Sequence, residues 1–144
     1  MTDFTNEFDR MLSKSGKIKV LLVPPDGNAS IMAAMRFPGN HKGGVNKIIL
    51  EKERARINEN IERLKSLSDT YKDRVEIYAL DYLFENGAIY INPSDKGPIY
   101  IQRYTFRHHG GSRKPKYLVN DDSSGWHALF MSEANEFFKE AANV

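Results

Sequence analysis

Two segments of the chain have the hydrophobic pattern of β-strands, and a long helical pattern lies between them. Residues 17–23 begin with alternating polar and apolar positions and become wholly apolar, which is typical of a strand covered on both faces. Residues 74–80 alternate in the same manner. A strand, a helical crossover and a second strand predict a βαβ unit with parallel pairing and a right-handed connection.

The helical pattern between these strands runs from about residue 45 to residue 70. Ile57, Ile61 and Leu64 recur on one face of the predicted helix, followed by Tyr71, whereas Glu53 belongs to the polar positions. This spacing predicts a long amphipathic helix that packs through its apolar face.

Three shorter segments predict further strands. Residues 88–91 and 99–104 flank a loop of turn-forming residues, which predicts a hairpin, and residues 116–119 predict another short strand. An exposed strand at 88–91 would also offer an edge for pairing with a partner.

Helical spacing recurs at both ends of the chain and after the first strand. A short first helix is predicted to stop at Ser15, and a helix over residues 31–35 to be capped by Asn28 or Ser30. A final helix is predicted with Ser123 or Ser124 as its cap. Its inner stripe is expected to comprise Trp126, Phe130, Ala134, Phe137 and Ala141. Helices before and after a mixed, partly parallel sheet predict an α/β fold, a two-layer or three-layer sandwich, in a single domain over residues 1–144.

Composition narrows the range of functions. Hydrophobic residues make up 40 % of the 144 residues and charged residues 28 %, as in globular proteins. The net charge of +2 creates no global field toward DNA or membranes. The chain has no cysteine, which excludes disulfides and thiolate chemistry, and no apolar run near the ~20 residues of a membrane helix. We therefore expect a cytoplasmic protein with no membrane partner.

The segment over residues 103–116, called the basic segment below, carries the strongest chemical signal. It contains arginines, lysines and two histidines but no acid. Guanidinium groups match phosphate or carboxylate oxygens bidentately, and Gly110 and Gly111 would let backbone amides approach a ligand. The alternative is a solvated basic loop that follows an edge strand. The residues predicted to bind an anionic ligand are Arg103, Arg107, His108, His109, Arg113 and Lys114.

Other segments offer weaker candidates. The turn at residues 24–30 joins a strand to a helix, and its residues favour a plain turn with a helix cap over a binding role. In the alternative, the helix N-terminus would attract an anion, although Asp26 would repel phosphate and could instead accept from a ribose hydroxyl. Residues 41–44 resemble a small anion nest within a flexible connection. Asp81, directly after a strand, is a candidate acid or base. His108 and His109 lack the spacing of a metal site, so neither a metal nor another cofactor is predicted.

The order of elements resembles one half of the phospholipase D-like superfamily, in particular the degenerate domains attached to bacterial regulators and defence proteins. The matching segments cover most of the chain: residues 17–25, 57–64, 74–81, 99–104, 126–130 and 137–141. Active members carry a histidine, a lysine two positions later and an aspartate four residues beyond. Two positions after each histidine of this chain stand Gly43, Gly110, Gly111 and Leu129. The resemblance therefore implies a phosphate-handling fold without phosphodiesterase activity.

Three hypotheses follow. The first is a non-catalytic, ligand-sensing or regulatory module that binds a phosphate-bearing small molecule such as a nucleotide. The second is a nucleotide- or phosphoester-processing enzyme that uses Asp81 or a histidine. The third is nucleic-acid binding, with Tyr104 or Phe106 stacking on bases. The near-neutral charge disfavours this third hypothesis. The sequence does not decide whether the chain forms a homodimer or belongs to a larger multidomain protein.

Overall fold

A computed structural model describes residues 5–14, 16–90, 96–103 and 116–144. The α/β class and the mixed, partly parallel sheet predicted from the sequence are confirmed. The helices are α1 (Thr5–Ser13), α2 (Asn28–Met35), α3 (Lys47–Thr70) and α4 (Trp126–Glu140). The strands are β1 (Ile18–Leu22), β2 (Val75–Ala79), β3 (Asn86–Tyr90), β4 (Ile99–Arg103), β5 (Lys116–Val119) and β6 (Ala142–Asn143).

The strands in the described part of the chain divide between two sheets. In the first sheet β1 pairs with β2 in parallel, from Ile18 opposite Val75 to Leu22 opposite Ala79, and β6 adds an antiparallel edge to β2. In the second sheet β3, β4 and β5 pair antiparallel in sequence order. The sequence pattern identified the hairpin strands but did not assign them to a separate sheet.

The core of the first sheet lies against α1 and α3. Leu12 of α1, Leu64 of α3 and Val75 of β2 belong to one buried cluster, which the partly buried Leu67 and Tyr71 extend. The hydroxyl of Tyr71 donates to Asp9 Oδ1 at 2.6 Å, and Arg74 donates to the Leu12 carbonyl. The apolar face predicted for α3 therefore packs as expected.

Helix α4 covers the opposite face of the first sheet and also reaches the second. The rings of Phe138 and Tyr78 on β2 meet edge to face with centroids 5.4 Å apart. About two turns nearer the start of α4, the Tyr90 hydroxyl of β3 donates to the Phe130 carbonyl at 3.2 Å. One helix therefore joins the two sheets.

Most of the inner stripe predicted for α4 is confirmed, since Ala134 is buried and Phe130 and Phe137 are partly buried, but the stripe does not begin at Trp126. Trp126 is exposed, whereas His127 is buried and its Nε2 lies 2.7 Å from the Gly97 carbonyl oxygen. The contact of His127 with the chain before β4 explains why a polar residue is buried at the start of α4, and periodicity alone does not contain that information. The N-cap of α4 is Gly125, in a left-handed conformation (φ 82°) and without a side-chain cap, so neither predicted serine occupies that position. The Ser124 hydroxyl, one residue earlier, accepts the N–H of Trp126 at 3.3 Å.

Candidate functional site

The basic segment leaves and re-enters the second sheet at the same end. Arg103 is the last residue of β4, Lys116 is the first of β5, and the register pairs Gln102 with Lys116. The backbone of Arg103 therefore has a defined place. The other predicted ligand-binding residues, Arg107, His108, His109, Arg113 and Lys114, lie outside the described residues, as do Tyr104 and Phe106.

The outer face of the same sheet carries an unusual apolar row. Ile99 and Ile101 of β4 are 0 % and 1 % exposed, but Tyr100 between them is 47 % exposed. The register places Tyr100 beside Ile89 of β3 and Leu118 of β5, and Leu118 is equally exposed. Antiparallel sheets with one open face usually present polar residues there. We call Ile89, Tyr100 and Leu118 the outer row.

The predicted anion site in the turn at residues 24–30 is filled by a carboxylate of the protein itself. Asp81 Oδ1 accepts the N–H of Ala29 at 2.7 Å, and its Oδ2 accepts the N–H of Asn28 at 3.1 Å. These are the first amides of α2, the donors that a phosphate would use. Asp81 is therefore the cap of α2, which sequence reasoning missed because 52 residues separate it from Ala29.

Neither of the two predicted caps of α2 serves as one. The Ser30 hydroxyl, fully buried, donates to the Gly27 carbonyl at 2.6 Å and accepts from Arg54 Nε at 3.2 Å. Asn28 is already the first residue of the helix, after Gly27 at the N-cap. Ser30 instead links α2 to α3, because its hydroxyl joins a carbonyl at the start of one helix to a guanidinium of the other.

The predicted nest at residues 41–44 is a closed turn. The N–H of Gly44 donates to the His41 carbonyl at 3.2 Å and is thus used within the turn. Asn40 fixes the loop, since its Nδ2 donates to the carbonyls of Ala34 and Phe37 at 2.9 and 2.8 Å, and its Oδ1 accepts the Asn46 N–H at 2.7 Å. The loop is therefore held by a polar side chain whose role the sequence did not indicate.

Glu53 is buried, contrary to its assignment to the polar positions of α3. It is 6 % exposed, and Arg56 donates to both of its oxygens, from Nε at 2.9 Å and from Nη2 at 2.6 Å. The Arg56 guanidinium also lies 5.9 Å from the ring centroid of Phe37. A buried carboxylate is tolerated when such a bidentate partner neutralises it, so this pair is a structural contact.

The altered pKa values mark packing contacts, and the groups concerned do not converge on one acid–base pair. Burial, with a contribution from the charge of Glu133, raises the pKa of Tyr90 to about 12. The hydrogen bond to Asp9 raises the pKa of Tyr71, and hydrogen bonds from Ser124 lower the pKa of Asp122. Among the described residues, no three His, Asp or Glu side chains group as metal ligands do.

Two shallow clefts occur away from the second sheet. One, of about 450 Å³, lies between β1 and α4, where the Lys19 ammonium is 4.5 Å from the ring centroid of Phe138. Its other charged groups, Glu136 and Lys139, pair with each other at 2.5 Å. The other cleft, of about 440 Å³, follows the C-terminal half of α3 beside β2 and β6. Neither brings an acid and a base together for catalysis.

No family model, curated protein sequence or solved structure matches this chain. The resemblance to a phospholipase D-like half therefore stays a prediction. Among the described residues, no helix combines the length and the apolar character that crossing a membrane requires.

Proposed function

We propose that this chain is a non-catalytic module that binds a phosphate-bearing ligand, such as a nucleotide, through the basic segment. One observation carries the proposal: a segment rich in cations and free of acids is anchored at both ends on neighbouring strands of one sheet. We propose that its guanidinium groups gather on one ligand, because arginine forks bind phosphate oxygens bidentately.

Several carboxylates of the described residues already pair with other cations, which supports the proposal. Glu53, Glu59 and Glu62 of α3 each pair with a cation of the same helix. Asp121, close in sequence to the basic segment, lies 3.7 Å from Lys96 Nζ. The α2 N-terminus, the competing anion site, already binds Asp81.

Two observations favour binding over catalysis. Both oxygens of Asp81 accept backbone amides of α2, so this carboxylate has a capping role. If the phospholipase D-like resemblance holds, the chain lacks the histidine and lysine spacing of the active members. What such a fold would retain is affinity for phosphate.

The test is thermal denaturation with millimolar ATP, pyrophosphate or inorganic phosphate. A ligand present at 100 times its dissociation constant stabilises the native state by about 2.7 kcal/mol, which is readily measured as a rise in Tm. We expect at least one of these ligands to raise Tm and the double variant Arg107→Ala, Arg113→Ala to remove the rise.

The matched control is the double variant Lys52→Ala, Lys72→Ala. It removes the same charge from exposed positions outside the second sheet. It should keep the full rise in Tm. Equal losses in both double variants, or no rise in the unaltered protein, would overturn the proposal.

A further inference from the structure

We infer that the edge of β2 that β6 partly covers is a docking site for an extended, basic strand of a partner protein, which pairs with β2 in place of β6. In such strand addition, main-chain hydrogen bonds supply affinity and alternate side chains supply specificity. The site uses no residue of the basic segment, so the inference goes beyond the proposed function and does not depend on it.

Strand β6 covers only part of this edge. Strand β2 has five residues, Val75–Ala79, whereas β6 has two, which pair with Tyr78 and Ala79. After β6, the N–H of Val144 donates to the Ile77 carbonyl at 3.0 Å. Both residues of β6 are exposed, so they bury little apolar surface against the sheet. A longer strand at this edge would therefore form more hydrogen bonds than β6 does.

The backbone of Val75 is directed to the same side of β2 as the backbone groups that β6 binds. The Ile77 carbonyl faces β6, and backbone groups two residues apart in a strand point the same way. The register of β6 stops short of Val75, and no other strand in the described part of the chain pairs with β2 on this side. Val75 is 7 % exposed, and buried backbone groups are nearly always paired in folded proteins. An added strand would supply that pairing.

The cleft beside β2 gives such a strand its place. This cleft, of about 440 Å³, is lined by Val75 and Ile77 of β2, by Val144, and by residues of α3 that include Ser66 and Asp69. An antiparallel strand in line with β6 would continue past the position of Val144 and enter the cleft next to Val75. The edge and the cleft thus form one continuous surface.

The acids of the cleft favour a basic strand. Glu62 pairs with Lys65 at 3.7 Å, whereas Asp69 and Glu76 are exposed and, within the ranges that the structure describes, pair with no cation. Opposite charges on paired strands stabilise a sheet, and like charges directly opposite each other destabilise it. A strand that places lysine or arginine opposite Glu76 is therefore the complementary partner.

The cation opposite Glu76 on β1 is engaged with aromatic rings. Lys19 is the register partner of Glu76, but its ammonium lies 4.5 Å from the ring centroid of Phe138 and 5.1 Å from that of Tyr78. Glu76 itself accepts the Tyr78 hydroxyl at 3.2 Å, which leaves its negative charge in place. The charge of Glu76 is thus available to the strand on the other side of β2.

Strand alternation defines the sequence pattern of the partner. Val75 and Ile77 point into the buried cluster that contains Leu64 of α3, so the partner residues opposite them lie on the face toward α3. Apolar residues suit that face. The partner residue opposite Glu76 lies on the other face, where a basic residue is favoured. The occupant is therefore a strand in which apolar and basic residues alternate.

The decisive measurement is fluorescence anisotropy with a labelled peptide of about seven residues in which valine and lysine alternate. We expect this peptide to bind, and a peptide with glutamate in place of lysine to bind at least about tenfold more weakly. Equal affinities for the two peptides, or no binding of the lysine peptide, would overturn the inference.

N-methylated peptides test the main-chain pairing. The valines opposite Val75, Ile77 and Ala79 donate their N–H groups to β2, whereas the N–H groups of the lysines point away from it. N-methylation of the valines should abolish binding, and N-methylation of the lysines should leave it unchanged. Equal effects of the two modifications would exclude strand addition.

Two pairs of protein variants complete the test. Val144→Pro removes the N–H that binds the Ile77 carbonyl, so it weakens β6 as a competitor and should raise peptide affinity about threefold, whereas Val144→Ala keeps the N–H and should change nothing. Glu76→Gln should lower affinity about threefold. Its control is Glu51→Gln, because Glu51 is an exposed acid that pairs with Lys47 outside the cleft. An unchanged affinity in Val144→Pro, or equal losses in the two glutamine variants, would contradict the inference.

Discussion

At the residue scale, the contact between Gly27 and Asp81 explains why glycine occupies the turn before α2. Gly27 has φ −83° and ψ 171°, a conformation open to any residue, so backbone freedom is not the reason. A Cβ at this position would lie 2.4 Å from Asp81 Oδ1. Glycine is therefore required at position 27 because any larger side chain would clash with the carboxylate that caps α2.

We therefore predict that Gly27→Ala lowers the free energy of unfolding by about 1 kcal/mol, the usual value of a helix cap. Urea denaturation measures the change. Gly44→Ala is the control, because a Cβ there meets nothing within 4 Å and Gly44 has no positive φ. It should be neutral or slightly stabilising.

A double-mutant cycle tests whether the loss of stability in Gly27→Ala arises from the contact with Asp81. In an Asp81→Ala background the oxygens that crowd position 27 are gone, so Gly27→Ala should cost much less than it does alone. Additive costs would show that Gly27 is constrained by something other than Asp81.

Buried polar residues at this scale were the hardest to anticipate. Glu53 and His127 are both buried, although neither carries an apolar side chain. Each is stabilised by one defined partner, Arg56 for Glu53 and the Gly97 carbonyl for His127. Glu53 was assigned to a polar face because a hydropathy pattern reflects the side chain itself and contains no information about the partner that neutralises it.

At the element scale, α4 positions β3 through Tyr90. The hydroxyl of Tyr90 donates to the Phe130 carbonyl, and burial raises the pKa of this phenol to about 12. The neutral phenol is therefore favoured in the folded protein, whereas an unfolded tyrosine ionises near pH 10.

The sign of the pH dependence follows from this difference. The contribution of Tyr90 is fully present below pH 10 and is lost as pH rises toward about 12, because the unfolded chain releases its proton first. We predict that urea denaturation between these pH values shows a steeper loss of stability for the unaltered protein than for Tyr90→Phe. Parallel curves for the two proteins would contradict this assignment.

At the scale of the whole molecule, α4 couples the two sheets. Phe138 contacts Tyr78 of the first sheet, Phe137 meets Phe84 at 5.1 Å ahead of β3, and the Phe130 carbonyl binds Tyr90 of the second. A helix that packs on both sheets is expected to make them unfold together.

Two core truncations test this coupling. Leu64→Ala in the first core and Ile101→Ala in the second sheet each remove a side chain that is about 1 % exposed, and each should cost about 2–5 kcal/mol. Far-UV circular dichroism and the fluorescence of Trp126, the single tryptophan, should report one midpoint in each variant.

Leu129→Ala is the control, since Leu129 is an exposed leucine of α4 and its truncation should cost less than about 0.5 kcal/mol. If Ile101→Ala lowered only the fluorescence midpoint, the sheets would unfold separately. The proposed function depends on the same arrangement, because the second sheet holds both ends of the basic segment.

The local patterns of this sequence determined the elements. The spacing of Ile57, Ile61 and Leu64 predicts α3 and its buried face, and the alternation around Val75 and Ile77 predicts β2, because periods of about 3.6 and 2 residues follow from backbone geometry alone. The charge of the basic segment was equally visible. Only the tertiary structure decided that Asp81 caps α2, that the strands form two sheets and that Tyr100 stays half exposed. Each of these features depends on contacts between residues that are distant in the chain. A local sequence pattern contains no information about which distant residues will make those contacts.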